Sequence, residues 1–550
     1  MSVGLAGAFI TLPLSFLDFD THHDGVMVAP AVAVAEGVPL FSGVFSQYGP
    51  VTHWLHGMFL FIWPFGDALG LRIINTLLIA ATAALMVDVA RVAPERWKIR
   101  QRDLVVLSLL WILTNDVFIG VPMLPWSSVV ASLTLVLIVW LFGSYESKLG
   151  RPGNWSRLFL IGSLIALLPG VRQTVGFTLI ASILLLAPLA SYRLKWSKRS
   201  PLIALTGFFF GASAMIAPIW LTQSIFDWIN QTLWWPISWA SEATLRGSPL
   251  VGALAGTIIA CTVILSMVFV SFFRNRFPRL SVVGPSVLLV LTISGLFSGN
   301  HDLFVATEFV ESDLYRWSEW IMELSSRGLW VLFGLGLFAL FSLLALLLKD
   351  FYFREAQDLI VARVLLLVVS LASLTQIYPV ADSRHIWWAI PPLIIAVAWI
   401  LGRVPKLRTL SLWFPVVGVW VSSLVLVAGA NLFLVQRAQY HPESVAAGMW
   451  GRADRVEKVH NAAELAQSLG NIEESIFLVP DGYLSVILGN YSSADQYFVS
   501  WGPLTPINER AKKGQMIFVD EATKSSLDGM QTELLGASID NQIYVYLKIE

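Results

Sequence analysis

Apolar runs of about 17 to 25 residues, the length a helix needs to cross a bilayer, recur from one end of the chain to residue 434. They lie near 2–17, 72–92, 104–119, 127–143, 157–169, 174–190, 202–222, 250–273, 281–298, 328–348, 360–378, 386–402 and 411–434, which predicts roughly thirteen transmembrane helices. Residues 51–66 are apolar too, but Pro50, His53, His56 and Pro64 predict a helix at the interface or only partly inside the bilayer. The run at 2–17 lacks a basic flank and a small-residue cleavage pattern, so it reads as a short first span whose true start lies upstream rather than as a signal peptide.

Lysine and arginine alternate in the connections. Arg91 to Arg102, Lys148 to Arg157, Arg193 to Arg199, Arg274 to Arg279, Lys349 with Arg354, and Arg403 to Arg408 are basic, whereas the intervening connections are almost free of lysine. Under the positive-inside rule the basic set faces the cytoplasm. Residues 18–71, 120–126, 170–173, 223–249, 299–327, 379–385 and everything after about 435 then face outward. The expected localisation is the plasma membrane, with the C-terminal part outside the cell or in the periplasm.

From about residue 436 the pattern becomes that of a water-soluble module. Residues 443–469 predict one or two helices, and 475–480, 515–520 and 542–549 predict strands between turn-rich stretches. The expected fold class is therefore a polytopic α-helical membrane domain, 1–435, followed by a small α/β domain, 436–550. Composition agrees: 56% of residues are hydrophobic, 13% are charged, and the mean hydropathy is +0.70. Soluble domains carry about a quarter charged residues. A single cysteine, Cys261, excludes an internal disulfide and a thiolate metal site. Nothing points to nucleic acid.

Candidate chemistry concentrates in 18–50, between two apolar runs. This loop holds Asp18, Asp20, His22, His23, Asp24 and Glu36, and the first cation of the chain is Arg72. Carboxylates and imidazoles beside a bilayer are costly to desolvate unless they bind or catalyse. A plain solvated turn needs no such order: acidic cluster, Asp24-Gly25 heading an apolar helix, then a turn ending Gln47-Tyr48-Gly49-Pro50. Three more outward stretches carry signals. Arg172, followed by Gln173, sits between apolar runs and needs an anionic partner from the fold or a ligand. Asp382, Arg384 and His385 stand at the mouth of a span, either as a helix-capping pair or, for Arg384 and His385, as a phosphate-binding pair. Trp228, Trp234, Trp235 and Trp239 mark an interfacial aromatic segment, and the charges of 299–327 a solvated helix face.

A group transfer on the outer face requires an activated donor that has already crossed the membrane, and a lipid phosphate ester suits that need. A carboxylate would serve as base toward an acceptor hydroxyl, and cations or a metal would hold the departing phosphate. The acidic first outer loop, Asp24 heading a helix, the FSGVFSQYGP phrase at 41–50, the span number and the outer C-terminal domain resemble the GT-C superfamily of polyprenyl-phosphate-sugar-dependent glycosyltransferases, which includes protein O-mannosyltransferases and the lipid A aminoarabinose transferase.

The resemblance implies a polyprenyl-phosphate sugar as donor and a glycan, lipid or protein acceptor. It also implies a first-loop catalytic carboxylate, with later arginines gripping the lipid phosphate. Asp24 matches the family aspartate, with Asp20 the second candidate; Arg172, Gln173, Arg384 and His385 match the phosphate grip. His22, His23, Gln47 and Tyr48 are the substrate-contact candidates. The family's Asp-Glu pair is absent, because Gly25 follows Asp24, and Gly43 stands where the second motif carries an acid. Whether a divalent cation such as Mg or Mn takes part is left open. The alternative from another class is a transporter or flippase for a lipid-linked glycan or other amphiphile. Transporters usually place ionisable groups near the midplane and often show repeated halves; here the charges lie at one face and no repeat is visible.

Overall fold

The computed structural model describes residues 2–234, 316–403 and 437–549, apart from 21–22, 64–65, 116–122, 149–153, 194–198, 354–358, 378–382, 441–445, 470–475, 478–511, 522–523 and 539–542. The spans expected at 250–273, 281–298 and 411–434, and most of the 299–327 loop, lie outside these residues.

The chain is a multi-pass helical membrane protein with small C-terminal sheets. Its helices are α1 (Ser2–Thr11), α2 (His23–Ala35), α3 (Pro50–Ile62), α4 (Asp67–Val92), α5 (Gln101–Leu113), α6 (Ser127–Ser147), α7 (Trp155–Leu167), α8 (Gln173–Arg193), α9 (Arg199–Leu221), α10 (Ile225–Ile229), α11 (Arg316–Phe353), α12 (Ile360–Leu374), α13 (Ser383–Leu401) and α14 (Ala453–Leu469). Among the described residues, six helices are long and apolar enough to cross a membrane. They fall on the expected runs at 72–92, 127–143, 202–222, 328–348, 360–378 and 386–402. In the run at 104–119 the described helix extends from Gln101 to Leu113, and residues 116–119 lie outside the described residues.

Helix contacts follow membrane logic, in which small residues let backbones approach and freed polar groups find neighbours. Gly207 and Gly211, one turn apart on α9, press against the backbone of Phe159 and Ser163 on α7, where a Cβ would collide. Ser163 Oγ also donates to the Gly207 carbonyl at 2.9 Å. In α13, Pro391 and Pro392 remove the amides that would bond the carbonyls of Trp387 and Trp388. Neighbouring helices supply the missing donors. Trp111 Nε1 donates to the Trp387 carbonyl at 2.9 Å, and Ser132 Oγ and Gln376 Nε2 donate to that of Trp388 at 2.5 and 3.0 Å.

The alternation of connections is visible in the contacts. Arg96 Nη2 and Trp97 Nε1 donate to Glu146, the latter at 2.6 Å, and Arg403 Nη1 donates to the Trp97 carbonyl at 2.7 Å. These basic connections therefore share one end of the bundle. The starts of α4, α6, α8 and α13 gather at the other end, with the first loop.

Helix α3 stays at that second end. Its 13 residues extend about 20 Å, short of a bilayer core of about 30 Å. It buries Thr52, His53, His56 and Leu60 and exposes Met58, Phe61 and Ile62, so its polar side chains face protein and its apolar ones face outward. Its length and one-sided burial agree with a helix too short to cross, whether at the interface or partly inside the bilayer.

In the C-terminal region β1 (Arg437–Gln439) pairs antiparallel with β2 (Trp450–Arg452). A four-stranded sheet of β3 (Ile476–Phe477), β4 (Met516–Asp520), β5 (Thr532–Ala537) and β6 (Ile543–Lys548) has the order β3-β4-β6-β5, with only β3 and β4 parallel. The expected strands at 475–480, 515–520 and 542–549 are thus present. Strand β2 occupies part of the stretch read as helix, and β5 was not foreseen. Glycine at 536 and alternation interrupted by Leu534-Leu535 hide β5, whose pairing with β6 carries a bulge at that point.

Candidate active site

The first loop is folded around Arg72, which lies in the second turn of α4 and is fully buried. Its Nε donates to Asp24 Oδ1 at 3.1 Å, its Nη2 to Asp24 Oδ2 and to the Asp18 carbonyl at 2.5 Å, and its Nη1 to the Leu17 carbonyl at 2.6 Å. Asp24 Oδ2 also accepts the Asp20 amide N–H at 2.9 Å, while the Asp24 amide returns a bond to the Asp20 carbonyl. Burial pushes the Asp24 carboxyl upward, and the Arg72 guanidinium opposes that shift. Both Asp24 oxygens are therefore engaged by the fold. Asp20, the other carboxylate candidate, is half-buried at the lip of the same turn.

Asp18 is held from three directions. Its amide donates to the Trp450 carbonyl at 2.7 Å, its own carbonyl meets Arg72, and its Oδ2 accepts from Arg437 Nη1 at 2.9 Å. The residue adopts φ +52°, in the left-handed region that aspartate tolerates better than most residues. Phe19 packs edge-on against Tyr440 at 5.9 Å. Gly66 allows the carbonyl of Ala447 to approach so closely that a Cβ would collide with it. The start of the C-terminal region thus closes over the first loop.

The second part of the site begins at the 41–50 turn. Gly49 lies directly on the backbone of Gly170, leaving no room for a Cβ. Two glycines from separate sequence phrases thereby bring Gln47 and Tyr48 to Arg172 and Gln173. Gln173 Nε2 donates to the Gln47 carbonyl at 3.2 Å, and Gln47 Nε2 to Tyr48 Oη at 3.1 Å. The Arg172 guanidinium, 5.9 Å from the Tyr48 ring centre, donates to Ser128 Oγ at 2.6 Å at the start of α6. Tyr48 meets Trp126 edge-on at 5.3 Å, Trp126 stacks on Trp388 at 5.9 Å, and the His385 ring meets Trp388 edge-on at 5.0 Å. Arg384 is half-buried in the first turn of α13.

The two parts are joined by 123–126. One turn beyond Arg72, Asn75 Nδ2 donates to the Leu124 carbonyl at 3.0 Å and Thr76 contacts Met123 Sδ; two residues later Trp126 reaches Tyr48.

Gln47, Tyr48, Arg172 and Gln173 thus come together, His385 connects to them through Trp388 and Trp126, and Asp20 and Asp24 share the adjoining loop. His22 lies outside the described residues, and His23 is the first residue of α2. The sequence reading missed Arg72, Ser128, Trp126, Trp388 and Arg437 as parts of the site. A lone cation opening an apolar run after several upstream carboxylates was the signal for Arg72. Tryptophans 126 and 388 gave none, because in a membrane chain they read as interfacial anchors.

Among the described residues no group of three or more His, Cys, Asp or Glu is placed to hold a metal ion. The carboxylates of Asp18 and Asp24 each face an arginine, which already balances their charge. At Gly43, where the resemblance expects an acid, a Cβ would lie 2.7 Å from Val38 and 2.8 Å from the Pro39 carbonyl. A tight turn over 39–44 excludes the side chain.

No family model and no curated protein matches the chain. Among solved structures it is similar to the Archaeoglobus fulgidus oligosaccharyltransferase in complex with zinc and sulfate, at 10% identity and a TM-score of 0.47 over 100% of this chain and 73% of that one. It is also similar to ArnT from Cupriavidus metallidurans bound to undecaprenyl phosphate, at 12% identity and a TM-score of 0.38 over 99% of this chain and 96% of that one.

Proposed function

We propose that this chain is a membrane glycosyltransferase that moves one sugar from a polyprenyl-phosphate donor to an acceptor hydroxyl at the outer face. The observation that carries the reading is the meeting, at one end of the bundle, of the buried Arg172, in contact with Ser128 and Tyr48, with a carboxylate-bearing loop. A buried cation favours an anion, and a phosphate diester is the anion that a lipid-linked sugar brings. The motif resemblance of 18–50 to the GT-C superfamily supports the same donor.

In this mechanism the acceptor oxygen attacks the anomeric carbon while the bond from that carbon to the phosphate oxygen breaks. The electron pair leaves with the phosphate, whose growing charge Arg172 and Gln173 stabilise. Arg384 and His385, at the start of α13, extend the grip. The hydroxyl proton passes to Asp20, whose half-buried carboxyl is more accessible than that of Asp24. Asp24 anchors the loop through Arg72. Inversion at the anomeric carbon is expected for this single displacement.

The test is transfer of radiolabelled sugar from a panel of polyprenyl-phosphate sugars by membranes containing wild type or Arg172→Ala. Transfer by wild type that falls about a hundredfold in the variant supports the reading. Absence of wild-type transfer from every donor, with acceptor-rich membranes present, overturns it in favour of a lipid-linked-glycan transporter.

A further inference from the structure

The 41–48 turn is gripped from behind by residues that the mechanism above does not use. Helix α3 carries Thr52, His53 and His56 on one face, each fully buried. His53 Nε2 lies 2.6 Å from Ser46 Oγ, and the same hydroxyl oxygen accepts the Tyr48 amide N–H at 3.1 Å. On the other side Gln231 Oε1 accepts the Ser46 amide N–H at 3.0 Å, and Gln231 Nε2 donates to the Phe41 carbonyl at 2.7 Å. Gln231 is only 2% exposed and sits in a π-helical turn, Asn230–Trp234, a geometry that concentrates at functional sites. Phe41 itself holds φ +71°, so the turn is constrained as well as clamped.

A short route of contacts leads from this clamp to the phosphate grip. His53 fixes Ser46, Ser46 fixes the Tyr48 amide, and Tyr48 lies beneath the Arg172 guanidinium while the Gln47 carbonyl receives Gln173. A bond between a buried hydroxyl and a buried imidazole holds a side chain tightly, because breaking it leaves both groups desolvated. We propose that His53, acting through Ser46, is a positioning residue that sets Tyr48 and Gln47 against Arg172 and Gln173 and so determines affinity for the anionic end of a lipid phosphate. This rests on the glycosyltransferase reading. Either neutral tautomer can make the bond, as donor to the hydroxyl or as acceptor from it.

The experiment measures binding of a polyprenyl phosphate to the purified full chain in detergent by tryptophan fluorescence, with the matching polyprenol as control. Wild type should bind the phosphate and not the alcohol. His53→Phe, which keeps the ring volume but not the bond, should weaken binding about tenfold, the loss expected for one buried hydrogen bond. His53→Gln, whose amide can reach the Ser46 hydroxyl, should recover affinity to within about threefold of wild type. Ser46→Ala reproduces the loss without disturbing α3. In transfer assays the donor KM should rise while the acceptor KM stays constant, a split that general destabilisation does not produce. Wild-type affinity in both His53→Phe and Ser46→Ala overturns this inference alone. Failure of wild type to distinguish phosphate from alcohol overturns the glycosyltransferase reading instead.

Discussion

Two buried arginines sit at the same end of the bundle in contrasting surroundings. Arg72 is enclosed by charge and carbonyl oxygens: the Asp24 carboxylate, the Leu17 carbonyl and the Asp18 carbonyl. Arg172 meets the Ser128 hydroxyl and the ring of Tyr48. The first arginine has its charge balanced by its own fold and works as the nail of the first loop. The second donates to a neutral hydroxyl at the start of α6 and lies against an aromatic ring. A buried ion pair such as Arg72 with Asp24 and the ligand-binding cation that we propose at Arg172 look alike in sequence.

The sharpest way to break this contrast is at Arg72. Arg72→Met leaves Asp24 buried without its counter-ion and should lower stability by about 3–5 kcal/mol, read as a large drop in the thermal midpoint in detergent. The double variant Arg72→Met with Asp24→Leu should recover most of that loss, since no uncompensated charge remains. Arg172→Ala should show the opposite profile. Its thermal midpoint should stay near that of wild type while lipid-phosphate binding falls by about 2–3 kcal/mol, the range for a charge-assisted bond.

Smaller effects test how the two regions are held together. Gly49→Ala forces a Cβ into the Gly170 backbone and should cost about 1–3 kcal/mol, with donor use impaired beyond the stability loss because Tyr48 is displaced from Arg172. Arg437→Ala removes the ion-pair tie between the C-terminal region and Asp18 and should cost about 1–2 kcal/mol, because the Asp18–Trp450 backbone bond still holds the two together; protease cleavage after residue 437 should quicken accordingly. The smallest change is expected at His56, whose two ring nitrogens are buried without a hydrogen-bond partner among the described residues. His56→Leu should be neutral or slightly stabilising, because it removes a desolvated polar group. Loss of transfer in a fully folded His56→Leu protein would instead place this imidazole in the chemistry.

Much of this architecture was legible in the chain, for identifiable reasons. Apolar run length located the long helices that are described, and the lysine and arginine bias separated the connections into two sets, of which the described members meet at opposite ends. Period-two apolar patterns found β4 and β6, whereas β5, with its bulge and glycine, kept no such period. At the site, density of polar residues pointed to 18–50 and to Arg172. What the chain could not display was pairing across hundreds of positions. Nothing near Asp18 announces Arg437, and nothing near Ser46 announces Gln231. The glycines carried the most hidden information: Gly49 and Gly170 read as ordinary turn residues, yet their contact brings Gln47 and Tyr48 to Arg172 and Gln173.

The central claim is a division of labour between two aspartates four residues apart, and the most direct measurement is sugar transfer and thermal stability for Asp20→Asn and Asp24→Asn side by side. The account predicts that Asp20→Asn folds as wild type and loses at least a hundredfold in transfer, whereas Asp24→Asn loses stability first and activity only in proportion. A fully stable Asp24→Asn protein without activity, beside an Asp20→Asn protein that transfers at the wild-type rate, would contradict it.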